Sequence, residues 1–139
     1  MTPTNIAFVI PGEPQGKGRA RIGKVGAYAR MFTPAKTVAY EGLIALAGQQ
    51  AMAGADPIPG PVAVEIDAVH TIPASWSRKR RAEAAGNPAG CKPDIDNIAK
   101  AVADGANGVI WVDDKQIARL TVTKVYGERP EVRVRVAVL

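Results

Sequence analysis

Five of the chain's 13 acidic residues, Asp94, Asp96, Asp104, Asp113 and Asp114, fall in one short stretch of a protein whose net charge is +5. Carboxylates held close together do not all stay ionised unless a cation compensates them. Pro93 biases Lys92 toward extended backbone, so the chain reaches Asp94 as strand or loop. In extended backbone the two-residue spacing of Asp94 and Asp96 puts both side chains on one face. Asp96 reads as the N-cap of a helix, where its charge meets the positive end of the dipole. That helix runs for about ten residues, or about 15 Å, and closes over Gly105 to Gly108. Val109 to Asp114 reads as a strand of about 20 Å. Folded back beside the helix, it returns Asp113 and Asp114 to the level of Asp94 and Asp96. Alternation lets only one of that pair point inward, and spacing leaves open which. Lys100 lies one turn into the helix from Asp96, on the same side. Asp104 is about 12 Å from Asp96 and is assigned to Lys100 or to the helix end.

Oxygen donors without His or Cys select Mg²⁺, with Mn²⁺ as a substitute, and such ions keep open positions for phosphate oxygens. An ion of this kind polarises a phosphodiester and activates a bound water, while a neighbouring lysine holds the scissile phosphate. The competing reading is that Asp94 and Asp96 only cap a helix and that Asp113-Asp114 make a turn. Other site chemistries are short of residues. Cys91 is the only cysteine and His70 the only histidine, which excludes an intrachain disulfide, a Cys zinc cage and paired-histidine catalysis. His70 reads as a strand-end residue, Cys91 as incidental and Trp111 as core within the 109–114 strand.

Elements must position this site. Asn5 to Ile10 alternates as a strand, and Pro14 to Met31 reads as a loop or loose hairpin. Thr33-Pro34 starts a helix, with Thr33 as N-cap, whose apolar positions Val38, Leu43, Ile44, Leu46 and Ala47 run toward Gly54. Residues 56–61 form a turn and Val62 to Ala68 a second strand. Ser75 caps a short basic helix through Ala85. Strands over Gln116 to Tyr126 and Glu131 to Val138 complete the chain, with Arg133 and Arg135 opposite the valines. The expected class is α+β: a single domain over residues 1–139, with a mixed sheet of four to five strands and helices packed on it.

The cations are patterned. Lys17, Arg19, Arg21, Lys24, Arg30 and Lys36 occupy residues 14–40 without an acid, and Arg78-Lys79-Arg80-Arg81 form a second block. Both are either solvated surface charge or contacts for a polyanion. Lys17, Arg19 and Arg21 alternate, so an extended loop presents all three to successive phosphates. Tyr28, Phe32 and Trp76 adjoin basic residues and are assigned to packing ahead of base stacking. The first residues lack a signal peptide's basic start and apolar run, and no stretch has the length of a membrane span. The expected setting is the cytoplasm, with no membrane partner and no organic cofactor.

The stretch Lys92-Pro93-Asp94-Ile95-Asp96-Asn97-Ile98-Ala99-Lys100, followed by Asp104-Gly105 and by Gly108 through Ile117, resembles the RusA-type Holliday junction resolvases of bacteria and their prophages. The opening FVIPGEPQGKGRAR is similar to that family's start. The likeness covers most of the chain and is weakest over residues 50–90, where the basic 77–81 segment and the loop after Pro88 look longer than in compact members. The resemblance implies a homodimeric, Mg²⁺-dependent endonuclease of recombination and repair, nicking two opposed strands of a DNA four-way junction. It implies that Asp94, Asp96 and Asp114 hold the metal, with Lys100 the essential lysine and Asp113 in support. The basic residues Lys17, Arg19, Arg21 and Lys92 are the expected DNA contacts by their charge and placement. A nuclease for other branched or flapped DNA, or a non-catalytic binder of branched DNA, are the alternatives. An isologous dimer suits the two-fold symmetry of the substrate, and the first helix and the last strands are the candidate contact surfaces.

Overall fold

Strict alternation in Glu131–Val138 buries Val132, Val134 and Val136 on one side and leaves Arg133 and Arg135 exposed on the other. The same logic builds the rest of the sheet in the computed structural model, which describes residues 2–18, 21–25 and 28–139, the side chains of 21–25 and 28–32 excepted. In chain order the strands are β1 (Asn5–Pro11), β2 (Arg21–Val25), β3 (Tyr28–Phe32), β4 (Val62–Thr71), β5 (Ile117–Gly127) and β6 (Glu131–Val138). The helices are α1 (Ala35–Met52), α2 (Arg78–Ala84) and α3 (Ile95–Ala106), with a 3-10 turn over Asp114–Gln116.

Four strands form one mixed sheet in the order β1-β6-β4-β5, and β2 and β3 pair as a separate hairpin. Neighbours are antiparallel except β4 and β5, which run parallel from Ala63↔Arg119 to Thr71↔Gly127. A parallel pair needs a long crossover. Here it is residues 72–116, and it carries α2, α3 and every carboxylate of the acidic stretch. The α+β class and mixed four-stranded sheet match the expectation.

Phe8, Ile10, Val62, Val64, Ile66 and the β6 valines meet Tyr40, Ile44, Ile98, Val102 and Trp111 in one core. The opposite sheet face is polar: Arg135 pairs with Glu65 at 2.7 Å and Asp67 at 3.2 Å. No helix among the described residues is long and apolar enough to cross a membrane.

Several local expectations are corrected. Helix α1 is capped at Pro34, not Thr33, and buries Thr37, Tyr40, Ile44, Gly48 and Met52. Val38, Leu43 and Leu46 lie outward and exposed, because α1 is apolar on both sides and only one can face the sheet. Helix α2 is capped by Ser77, whose hydroxyl accepts from Arg80 N, in place of Ser75. Asp94, not Asp96, is the N-cap of α3. The end of α3 does fall within Gly105 to Gly108, at Ala106 with Asn107 as C-cap, and Gly105 itself is buried inside the helix.

Residues 109–114 are not a strand. Ile110 and Trp111, neighbours in sequence, are both fully buried, which alternation on a half-buried strand does not allow. The chain turns there, with Gly108 N donating to Trp111 O at 2.8 Å and Ile58 N to Ile110 O at 2.8 Å. The indole Nε1 of Trp111 donates to Asn107 Oδ1 at 3.0 Å, so Trp111 is core as expected, without the strand.

Candidate active site

Helix α3 is two-faced. Ile98, Ala101, Val102 and Gly105 face inward, while Asp96, Lys100 and Asp104, spaced four apart, share another side. Lys100 Nζ stands 3.0 Å from Asp104 Oδ1 and 3.5 Å from Asp114 Oδ2. Asp114 returns to α3 beside Lys100 and borders the same cleft as Asp96, but not Asp94, and it does so through a buried turn instead of a strand. Asp96, Lys100 and Asp114 line one cleft of about 450 Å³ between α3 and the start of β5, floored by Val64, Ile66 and Trp111.

The 3-10 turn is anchored at both ends. Asp113 caps it, accepting from Lys115 N at 3.2 Å, and the Gln116 side chain accepts from Asp113 N at 2.9 Å. The Lys115 amide holds the Asp113 carboxyl below its ordinary range. Gln116 Nε2 donates to Ile58 O at 2.6 Å and Gly60 O at 2.8 Å, tying the turn to the segment before β4. Sequence reasoning missed that Gln116 fastens the turn bearing Asp114, since a Gln in DDKQI looks like one more polar loop residue. Gln116→Ala removes the donor to two carbonyls, a loss of about 1–3 kcal/mol. The expected outcome is a lower melting temperature, because the turn that bears Asp114 loses its tie to the segment before β4.

A chain of ion pairs stabilises the other wall. Lys17 Nζ pairs with Glu41 of α1 and, at 3.2 Å, with Asp104, which also holds Lys100. Glu41 foremost raises the Lys17 pKa, and Asp104 foremost raises that of Lys100. Both amines therefore stay charged through the neutral range. The Lys17 loop lies flat on the helices, with Lys17 N donating to Asn97 O at 3.0 Å and Gly18 N to Thr37 Oγ1 at 3.0 Å. A Cβ at Gly18 would come within 2.3 Å of that hydroxyl, and one at Gly16 within 2.9 Å of Asn97 Cβ. The GKG spacing is thus what lets Lys17 reach between α1 and α3.

Of the other expected site residues, Asp94 is exposed at the head of α3 and makes no side-chain cap bond. It does not line the cleft. Lys92 is exposed and lines a second cleft of about 490 Å³ with Lys36, Gln15 and Gly18. Arg19 and the Arg21 side chain lie outside the described residues, as do the rings of Tyr28 and Phe32. The turn before Asp94 is held from the sheet by Lys124, whose ammonium donates to Cys91 O and, at 3.1 Å, to Pro93 O. His70 is buried at the end of β4, where burial foremost lowers its pKa, and it does not line the cleft.

Among the described residues no three His, Cys, Asp or Glu side chains are gathered tightly enough to hold a metal ion. The cleft nonetheless offers carboxylate oxygen without nitrogen or sulfur donors. Two carboxylates, Asp96 and Asp114, suffice for Mg²⁺, which is usually held by one or two carboxylates with water and substrate phosphate. The donor set fits a hard divalent cation.

The family described as endodeoxyribonuclease RusA matches residues 11–137 of this chain. The chain is also 34% identical over 135 residues, 94% of each sequence, to the uncharacterized protein YqaN of Bacillus subtilis (strain 168). The family match takes in the Lys17 loop and the whole β4–β5 crossover.

Proposed function

The chain belongs to the RusA endodeoxyribonuclease family, and from that membership we propose that it resolves DNA four-way junctions by paired, symmetric, Mg²⁺-dependent nicks in recombination and repair. The observation that carries this reading is the meeting of Asp96, Lys100 and Asp114 in one open cleft on a basic protein. Asp96 and Asp114 would hold the ion, while Asp94, exposed at the head of α3, lies outside the cleft lining. Bound there, Mg²⁺ or Mn²⁺ supplies a polarised phosphodiester and an activated water. The protein's own part is positional and electrostatic. Lys100, kept protonated by Asp104, presents its positive charge to the scissile phosphate and to the charge that develops on it. Asp113 and Gln116 fix the turn that bears Asp114. Lys92, exposed beside Lys36, is assigned to flanking phosphates with Arg19 and Arg21. Lys17, turned toward Glu41 and Asp104, serves DNA indirectly by bracing α1 against α3.

Two cuts need two sites, and we assign a homodimer. The outward apolar face of α1, with Val38, Leu43 and Leu46 exposed, is the contact surface this assignment favours, since such residues cover one another in an isologous pair.

The test is a labelled four-way junction beside a linear duplex of the same sequence, incubated with Mg²⁺ or EDTA. Symmetric nicks confined to the junction and the Mg²⁺ lane are expected. Tight junction binding with no cutting in Mg²⁺ or Mn²⁺ would overturn the enzymatic reading and leave a binder of branched DNA.

A further inference from the structure

Helix α2 is built almost wholly from charge. Arg78, Lys79, Arg80 and Arg81 are all exposed, none of its residues is buried, and cations in the first turn oppose the positive end of the helix dipole. Among the described residues Arg78, Lys79 and Arg81 have no ion-pair partner. Of the four, only Arg80 finds a partner among the described residues, yet the fold holds the helix in place. Ser77 caps the helix. The Arg80 guanidinium lies 3.7 Å over the Trp76 ring, and Trp76 meets Tyr126 of β5 edge-on at 5.4 Å. Behind the helix, residues 86–89 pair with the β5 edge: Gly86 N donates to Tyr126 O at 2.8 Å, Tyr126 N to Asn87 O at 3.0 Å and Ala89 N to Lys124 O at 2.9 Å. One cation of the four thus serves as an anchor, and three remain for something outside.

Their distance from the cleft follows from the strand that joins them. Leu120 borders the cleft, and Tyr126, six residues further along the same strand, carries the anchor. At about 3.3 Å per residue the two stand about 20 Å apart, roughly six base pairs of duplex at about 3.4 Å each.

We propose that α2 is a second phosphate-binding site, separate from the cleft, which grips one duplex arm of the DNA about six base pairs from the scissile bond. The assignment rests on the nuclease reading above, and the occupant follows from charge complementarity: three unpaired cations on a fixed element match a backbone bearing regularly spaced phosphates. Phosphate contacts carry no sequence information, so the site sets affinity and arm length rather than cleavage sequence.

The experiment uses the full chain and a variant with Arg78→Gln, Lys79→Gln and Arg81→Gln, leaving Arg80 in place. Junction affinity is measured in EDTA across a salt series, with arms of about 20 or about 5 base pairs. Each lost phosphate contact reduces the salt slope by about 0.9, so the slope is expected to fall by two to three units on long arms. Affinity for long arms should drop at least tenfold, while short arms bind both proteins alike. Unchanged near-ultraviolet circular dichroism from Trp76 and Tyr126 would show that α2 stays docked. If the dichroism changes, Arg78→Lys with Arg81→Lys replaces the variant and should retain the long-arm advantage. An unchanged slope, or an equal loss on both arm lengths, overturns the proposal and leaves α2 to an anion other than DNA. Failure of the unaltered protein to bind any junction would instead sink the nuclease reading beneath it.

Discussion

Asp96→Asn is expected to slow junction cleavage by about a hundred- to a thousandfold, the scale of losing about 3–4 kcal/mol of transition-state charge stabilisation, while junction affinity holds or rises. The substitution keeps the side chain's size and removes one charge from the cleft shared with Lys100 and Asp114. A competing explanation, that the acid is there only to cap a helix, makes a different prediction: loss of stability with no specific loss of chemistry. The geometry separates the two. Asp96 sits in the first turn of α3 and not at its cap, so its structural worth is a dipole interaction of about 0.3–1 kcal/mol. The measurements are single-turnover cleavage, junction affinity in EDTA and thermal melting, on the same sample. Asp113→Asn is the internal control. Asp113 does cap a turn through its side chain, and Asn caps as well as Asp, so cutting should persist there. If Asp96→Asn melts well below the unaltered protein and cuts in proportion to its folded fraction, the carboxylate is structural and the catalytic assignment falls.

How far such a site could be read without coordinates depends on how local its causes are. The alternation in β6 is a short-range pattern, and it stands in the structure as the residues suggest. Element lengths alone return Asp113 and Asp114 to the level of Asp94 and Asp96; the chain makes the return differently and brings Asp114 to Lys100 and the Asp96 cleft. Val109-Ile110-Trp111-Val112 has strand-like composition, but Ile110 and Trp111 are both fully buried because the turn is packed from two sides. Burial from two sides is a tertiary fact that no period encodes. Helix starts slipped by one or two residues at Pro34, Ser77 and Asp94. Docking decides the exact start: the loop that fixes the head of α3 does so through Lys17 N on Asn97 O. Least legible was the ion-pair chain. Lys17 and Glu41 are 24 residues apart, and nothing near either one marks the other. The glycines beside Lys17 were the available signal, since two of them flanking a lysine imply a backbone pressed against something.

The same kind of signal gives the largest expected effect on stability, at Gly105. A Cβ built there would stand 2.7 Å from Ile44 Cβ, 2.8 Å from its Cγ2 and 3.0 Å from its Cδ1. Ile44 is fully buried and stiff at χ1, so it has nowhere to turn. Two terms compete in Gly105→Ala. Helix propensity gains about 1 kcal/mol, and overpacking costs about 1–3 kcal/mol, so the net change is expected to be a small destabilisation. Gly105→Val adds two methyl groups to the same contact and forfeits most of the propensity gain. About 3 kcal/mol or more should be lost, lowering the melting temperature by about 10 °C at roughly 3 °C per kcal/mol for a chain of this size. Activity should fall further than stability, because α3 carries Asp96 and Lys100 and is pushed away from the Asp114 turn. The decisive measurement is a double-mutant cycle with Ile44→Ala. Alone, that change costs about 2–5 kcal/mol by opening a cavity. Combined with Gly105→Val, the added methyls occupy the vacated space, so the double variant should be more stable than the sum of the two predicts by 1 kcal/mol or more. Strict additivity would mean that α1 and α3 do not meet at this point, and the packing that sets the cleft wall would have to be redrawn.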